Sequence, residues 1–176
     1  MKSAILLLGF NRTDYFQQVL SSLENNADAF NHDLHVYLDG GPKAKQQAIV
    51  EIVNSSQFEN VTFVLRDRNW GIGRHLIDAR RTLFDKLGYD RILLLEDDMV
   101  LAPTYVETVF SISDWSAKYD DVGTVMAYNI NHNSVKSQMQ QMNQVISTNR
   151  HFWGYVITKK VWDEIKHIIY EFEQKY

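Results

Sequence analysis

Short apolar runs recur along this chain and alternate with stretches whose apolar residues return every third or fourth position. That alternation constrains the fold more than any other feature, because it is the pattern of strands and helices layered on one another. Residues 4–8 (Ala-Ile-Leu-Leu-Leu), 34–39, 61–65 and 92–95 are the strand candidates. Ile92-Leu93-Leu94-Leu95 is apolar on both faces, as a central parallel strand must be. Met1-Lys2-Ser3 before the first run imitates a secretory leader. The run is short, however, and passes into Asn11-Arg12-Thr13-Asp14 with no small-residue cleavage site, so it reads as a buried first strand.

Between the runs, Thr13 reads as the cap of a helix with the stripe Phe16, Val19, Leu20 and Leu23. Gly40-Gly41-Pro42 reads as a turn, followed by a helix through Ala48, Ile49, Ile52 and Val53. Asn69-Trp70-Gly71-Ile72-Gly73 opens a helix whose core stripe is Ile72, Leu76, Ala79, Leu83 and Leu87, with Arg74, Asp78, Arg81 and Asp85 facing outward. Pro103 starts another helix carrying Val106, Val109 and Phe110. Residues 122–127 and 152–157 read as further strands, residues 137–144 as a polar loop, and Lys159 onward as a final helix. With no internal repeat or linker in 176 residues, the expectation is one α/β domain over residues 1–176.

Composition narrows the function classes. The absence of cysteine excludes zinc-thiolate sites, iron–sulfur clusters and thiol nucleophiles. A net charge of −4 without a basic run argues against nucleic acid as a partner. No stretch approaches the ~20 apolar residues of a membrane span. The chain reads as a soluble, cytoplasmic protein.

Three consecutive acids, Glu96-Asp97-Asp98, follow the central strand candidate, and apolar Met99-Val100-Leu101 follows them. In open α/β sheets, ligands bind beyond the carboxyl ends of the strands. Two like charges ~4 Å apart repel by ~4 kcal/mol near a protein surface, so a crowded carboxylate trio needs a cation or hydrogen-bond donors beside it. A hard divalent ion, Mn²⁺ or Mg²⁺, shared with phosphates, meets that need.

Leu93-Leu94-Leu95-Glu96-Asp97-Asp98-Met99-Val100-Leu101-Ala102-Pro103 resembles the DxD-type metal motif of GT-A glycosyltransferases, in the form found in the N-acetylglucosaminyltransferase I group and family 2-like enzymes. Four further segments resemble that group in the same order: Leu8-Gly9-Phe10-Asn11-Arg12, Val36-Tyr37-Leu38-Asp39-Gly40, Gly73-Arg74-His75-Leu76 and Phe152-Trp153-Gly154-Tyr155. The resemblance implies the GT-A fold, a Rossmann-like three-layer α/β sandwich with a mostly parallel central sheet. It also implies a metal-dependent glycosyltransferase with a nucleotide-sugar donor, most simply a UDP-sugar, and a glycan or glycolipid acceptor.

The same resemblance assigns roles. Asp98 is the metal ligand. Glu96 and Asp97 contact ribose or sugar, or hold water on the metal. Arg12, in the turn with Asn11, meets the diphosphate. Asp39 and His75 lie against the base, and Trp153 stacks on the sugar or acceptor. Each has a plainer reading: Glu96 as a solvated strand end, Arg12 as a surface ion pair with Asp14, Asp39 as a turn-former bonding its own backbone, His75 as a structural histidine, and Trp153 as core. His132 and His151 stand as further candidates for a metal or donor contact.

In inverting relatives, a carboxylate base follows the helix after the aromatic–glycine segment. That acceptor-and-base region is expected to be missing from these 176 residues. A donor-binding module without catalysis is therefore the alternative reading. A nucleotidyltransferase is a more distant one, because no Gly-rich phosphate loop follows the first strand.

Overall fold

The computed structural model describes residues 1–128, 134–141, 144–148 and 153–175. Its centre is a six-stranded sheet in the order β3-β2-β1-β4-β6-β5. The strands are β1 (Ser3–Gly9), β2 (Asp33–Leu38), β3 (Val61–Leu65), β4 (Arg91–Glu96), β5 (Thr124–Met126) and β6 (Tyr155–Thr158). The first four pair in parallel, whereas β6 runs antiparallel to both β4 and β5. The mostly parallel sheet expected from the apolar runs is therefore present, with an antiparallel margin. The run at 4–8 forms β1 in the middle of it, fully buried.

Helices cover both faces, giving three layers. On one face α1 (Thr13–Glu24), α2 (Lys43–Asn54) and α4 (Tyr105–Ser116) set Phe16, Val19, Leu20, Leu23, Ile49, Val53, Val106 and Val109 against Ile5, Leu7, Val36 and Leu93. On the other, α3 (Ile72–Arg81) and α6 (Lys159–Lys175) set Ala79 and Trp162 against Ala4, Leu6, Ile92 and Leu94. The two sets of sheet residues alternate along β1 and β4, as period-two strands require. A short 3₁₀ turn, Ala27–Asn31, precedes β2, and a π-turn, Thr82–Lys86, continues α3.

Several local expectations shift. Thr13 is the first residue of α1, not its cap. Arg12 holds the cap position without a side-chain cap bond, because a guanidinium has no acceptor to offer the free N–H groups of the first turn. Pro103 lies in the turn before α4, where Tyr105 N–H donates to the Ala102 carbonyl. Residues 137–140, within the stretch expected as loop, belong to a short helix α5 (Val135–Gln140) capped by Ser134, whose hydroxyl accepts from Ser137 N–H.

The stripe on α3 is displaced as well. Ile72 is 61% exposed and Leu87 44%, while His75, Ala79, Leu83 and Phe84 are buried. The first turn of the helix therefore turns His75, not Ile72, toward the interior. Residues assigned to its outer face in fact meet neighbouring elements. Arg81 pairs with Glu173 of α6, and Asp85 accepts from Trp162, Lys166 and Tyr170. Asp78 pairs with Arg66.

Candidate active site

The strand order reverses between β1 and β4. From β1 the chain moves outward to β2 and β3, then returns to place β4 on the other side of β1. Crossovers leave in opposite directions there, so a crevice opens between the two strand ends, where open α/β sheets bind ligands. Leu8 lies opposite Glu96 in the ladder, which sets the turn after β1 beside the acidic triplet.

Arg12 spans that crevice. Its Nη2 donates both to Asp97 Oδ1 and to Asp98 Oδ2, the latter at 3.1 Å. The expected alternative, a pair with Asp14, does not form. The Asp97 side chain is 6% exposed, against 45% for Arg12 and 47% for Asp98. A guanidinium thus supplies the compensating charge that the crowded carboxylates need, and it holds its proton more tightly than usual beside them. Glu96, half-buried, has its pKa raised by burial first and then by Asp98 and Asp97.

A second cluster forms one strand over. Asp39 ends β2 and is buried; its N–H donates to the Gly9 carbonyl, tying it to β1. Asp39 Oδ1 accepts from the N–H groups of Gly40 and Trp70, both at 2.8 Å, and Oδ2 accepts from Gly71 N–H at 3.0 Å. Its carboxylate therefore bonds its own turn and also clamps the segment after β3. That segment passes so close to β2 that a Cβ on Gly40 would stand 1.9 Å from the Arg68 carbonyl carbon. Gln46 of α2 closes the bracket, donating to the Asp39 and Arg66 carbonyls.

Arg66, the residue after β3, gathers the cluster. It pairs with Asp78, stacks 4.0 Å above the Trp70 ring, and points Nε at His75 Nδ1, 3.4 Å away. His75 is 1% exposed, lies edge-on to Tyr37, and has its pKa lowered chiefly by burial, so it is neutral at pH 7.

The structure thus joins Arg12, Asp97 and Asp98 directly, with Glu96 beside them and Asn11 half-buried in the same turn as Arg12. Asp39 and His75 belong to the neighbouring cluster, and among the described residues neither is hydrogen-bonded to the acids. Trp153 is 58% exposed, with its ring edge-on to Tyr128 at 5.4 Å, so it is not core. Its neighbour Gly154 (φ 55°) is held by Tyr105, whose hydroxyl donates to the Gly154 carbonyl. His132 and His151 lie outside the described residues.

Arg66, Trp70 and Tyr105 were not among the candidates. Arg66 could have been found by the same rule that flagged the acids, since it stands at the carboxyl end of a strand. Tyr105 carries no such signal.

Among the described residues, no group of three or more His, Asp or Glu is arranged to hold a metal ion unaided. The donor set does suit a shared ion. Asp98 is open to solvent, and Asp97 Oδ2 is buried with no partner. Mg²⁺ and similar ions commonly take one or two carboxylates and complete their shell with water and substrate phosphates.

Known proteins resemble this chain in sequence and fold. An alpha-1,3-mannosyl-glycoprotein 2-beta-N-acetylglucosaminyltransferase from Arabidopsis thaliana is 23% identical over 178 residues, covering 93% of this chain. The chain spans 39% of that relative's length. Two solved structures share the fold. Residues 1–349 of S. aureus TarS in complex with UDP align with a TM-score of 0.63 at 14% identity, over 94% of this chain and 49% of that one. The mannosyltransferase PcManGT from Pyrobaculum calidifontis, in complex with GDP-Man and Mn²⁺, aligns with a TM-score of 0.57 at 13% identity, over 70% of this chain and 34% of that one. Residues 5–172 match the family described as glycosyl transferase family 2, and the chain belongs to that family, with the GT-A fold.

Proposed function

We propose that this chain binds a nucleotide-sugar donor, most simply a UDP-sugar, in the β1–β4 crevice and takes part in transfer of its sugar to a glycan or glycolipid acceptor in surface-glycan synthesis. The observation that carries the reading is the Arg12 guanidinium bridging Asp97 and Asp98 at the reversal of strand order. The relatives support it: one neighbour is a complex with UDP, another a complex with GDP-Man and Mn²⁺.

In glycosyl transfer, an acceptor oxygen bonds to the anomeric carbon as the bond from that carbon to the diphosphate oxygen breaks. Negative charge then grows on the leaving nucleoside diphosphate. Both carboxylate bonds of Arg12 are made by Nη2, which leaves its Nε and Nη1 N–H groups for that diphosphate. Pre-positioned charge of this kind stabilises the transition state without reorganisation. Asp98, with the free oxygen of Asp97 behind it, is the residue that would hold Mn²⁺ or Mg²⁺. When bound, the ion supplies Lewis-acid stabilisation of the leaving group. Asp39 fixes the 69–71 segment and His75 packs behind it, so both shape the base pocket rather than act in the chemistry. Glu96 and Trp153 flank the position of the sugar.

Titration of UDP into the wild type and Asp98→Asn, with and without Mn²⁺, tests this. The expected result is manganese-dependent binding, weakened at least about tenfold in Asp98→Asn while the melting temperature is unchanged. UDP affinity that responds neither to manganese nor to the substitution overturns the reading.

A further inference from the structure

Arg80, on α3, is half-buried and pairs with no carboxylate among the described residues. Among the described residues, the other arginines withdrawn from full exposure each have a carboxylate: Arg66 has Asp78, Arg81 has Glu173 and Arg91 has Asp114. Among the described residues Arg80 forms no ion pair. Its one recorded hydrogen bond runs from Nη2 to the Tyr155 hydroxyl, with the guanidinium 5.6 Å from that ring's centre. Its Nε is buried with no partner. Burial lowers its pKa to about 10, with nothing acidic to oppose the shift.

Its position gives the unpaired charge a use. Tyr155 opens β6 opposite Leu94, and both side chains lie on the sheet face covered by α3 and α6. By strand alternation Glu96, two residues beyond Leu94, emerges on that same face, about 8 Å diagonally from Tyr155. Trp153 and Gly154 immediately precede Tyr155. Arg80 therefore stands across β4 from the Arg12 turn, toward the exposed Trp153.

We propose that Arg80, braced by the Tyr155 hydroxyl, forms a recognition point for an anionic substituent, a carboxylate or a phosphate, carried by the donor's sugar or by the acceptor. Nε of Arg80 is buried and Nη2 is engaged by Tyr155, which leaves Nη1 to meet the anion through a charge-assisted hydrogen bond. The inference rests on the nucleotide-sugar reading above and names a substrate class for that site.

The test compares two pairs of probes by calorimetry in Mn²⁺. UDP-glucuronic acid against UDP-glucose examines the donor, and glucose 6-phosphate against glucose, added to the UDP-bound protein, examines the acceptor. The wild type should favour the anionic member of at least one pair by about tenfold or more. The pair that shows the preference identifies which substrate carries the anion. Arg80→Met should bring that ratio close to one, and Arg80→Lys should retain part of it. Arg80→Met should also melt no lower than wild type, because it removes an uncompensated, partly buried cation.

Equal affinities within both pairs, a preference that survives Arg80→Met, or a methionine variant melting several degrees lower would each overturn the inference. Those outcomes with UDP still bound leave the donor reading standing. A wild type that does not bind UDP at all overturns both.

Discussion

Arg12, in the turn after β1, donates one hydrogen bond to Asp97 and another to Asp98 at the end of β4, across 85 and 86 positions of sequence. The contact exists because β4 returns to the side of β1 opposite β2. Arg12→Met would leave Asp97, nearly fully buried, without its cation. Stranding one member of a buried pair is costly, and the exposure of Arg12 itself moderates the effect, so a loss of about 1–3 kcal/mol is expected. Urea unfolding at pH 7 measures it. A variant as stable as wild type would mean that solvent, not Arg12, neutralises Asp97.

Asp39 holds three backbone N–H groups with two oxygens. Asp39→Asn keeps the shape but turns one acceptor into a donor that faces another donor. It should cost about 2–3 kcal/mol, in the range for buried donors left unsatisfied. Amide exchange at Trp70 and Gly71 should accelerate more than exchange elsewhere. Uniform acceleration over the whole chain would contradict a local clamp.

Gly40 is required by proximity, not by its dihedral angles. A methyl group there would meet the Arg68 backbone at 1.9 to 2.4 Å, and backbone cannot swing aside as a flexible side chain can. Gly40→Ala should therefore force β3's exit away from β2, lowering the melting temperature by several degrees, as overpacking in a rigid site does. Gly73→Ala, at a helical position with nothing within 4 Å, is the control and should be neutral or slightly stabilising.

The parts of this site that sequence exposes are those written in one short stretch. The apolar run of β4 followed by three acids announces both a central strand and the point where it emerges, because a strand buried on both faces leaves no room for polar residues until then. The Arg12 bridge is not legible in that way, since it depends on the order of strands in the sheet. Arg66 is hidden for a similar reason: its partners His75 and Asp78 meet it only after the chain turns at Gly71, where φ is 75°. The error at Ile72 has the same origin. Helical spacing gives the period of α3 but not which side of it faces the sheet, and Ile72 falls outside the core while His75 falls inside it.

Three buried histidines give the fold a pH dependence of definite sign. His32, His35 and His75 each have their pKa lowered from 6.5, with burial the largest cause in every case. Below about pH 6.5 the unfolded chain takes up protons that the folded chain resists, so it binds more protons and stability falls with decreasing pH. The contribution is complete above that value and is lost as pH drops toward the folded values. Asp28, which hydrogen-bonds His32, has its own pKa lowered from 3.8 and so titrates below this window. Each histidine can contribute at most about 1.4 kcal/mol per pH unit, and the three together at most about 4. Urea unfolding at pH 7.5, 6.5 and 5.5 should show a progressive loss, with little change between pH 7.5 and 8.5. His35→Gln should shallow the slope by up to about a third, because that ring sits at the amino-terminal end of the sheet with Tyr89 and Asp33, far from the acids. Stability that is flat or rising toward pH 5.5 would show that the rings are protonated inside the fold and that the sign is wrong.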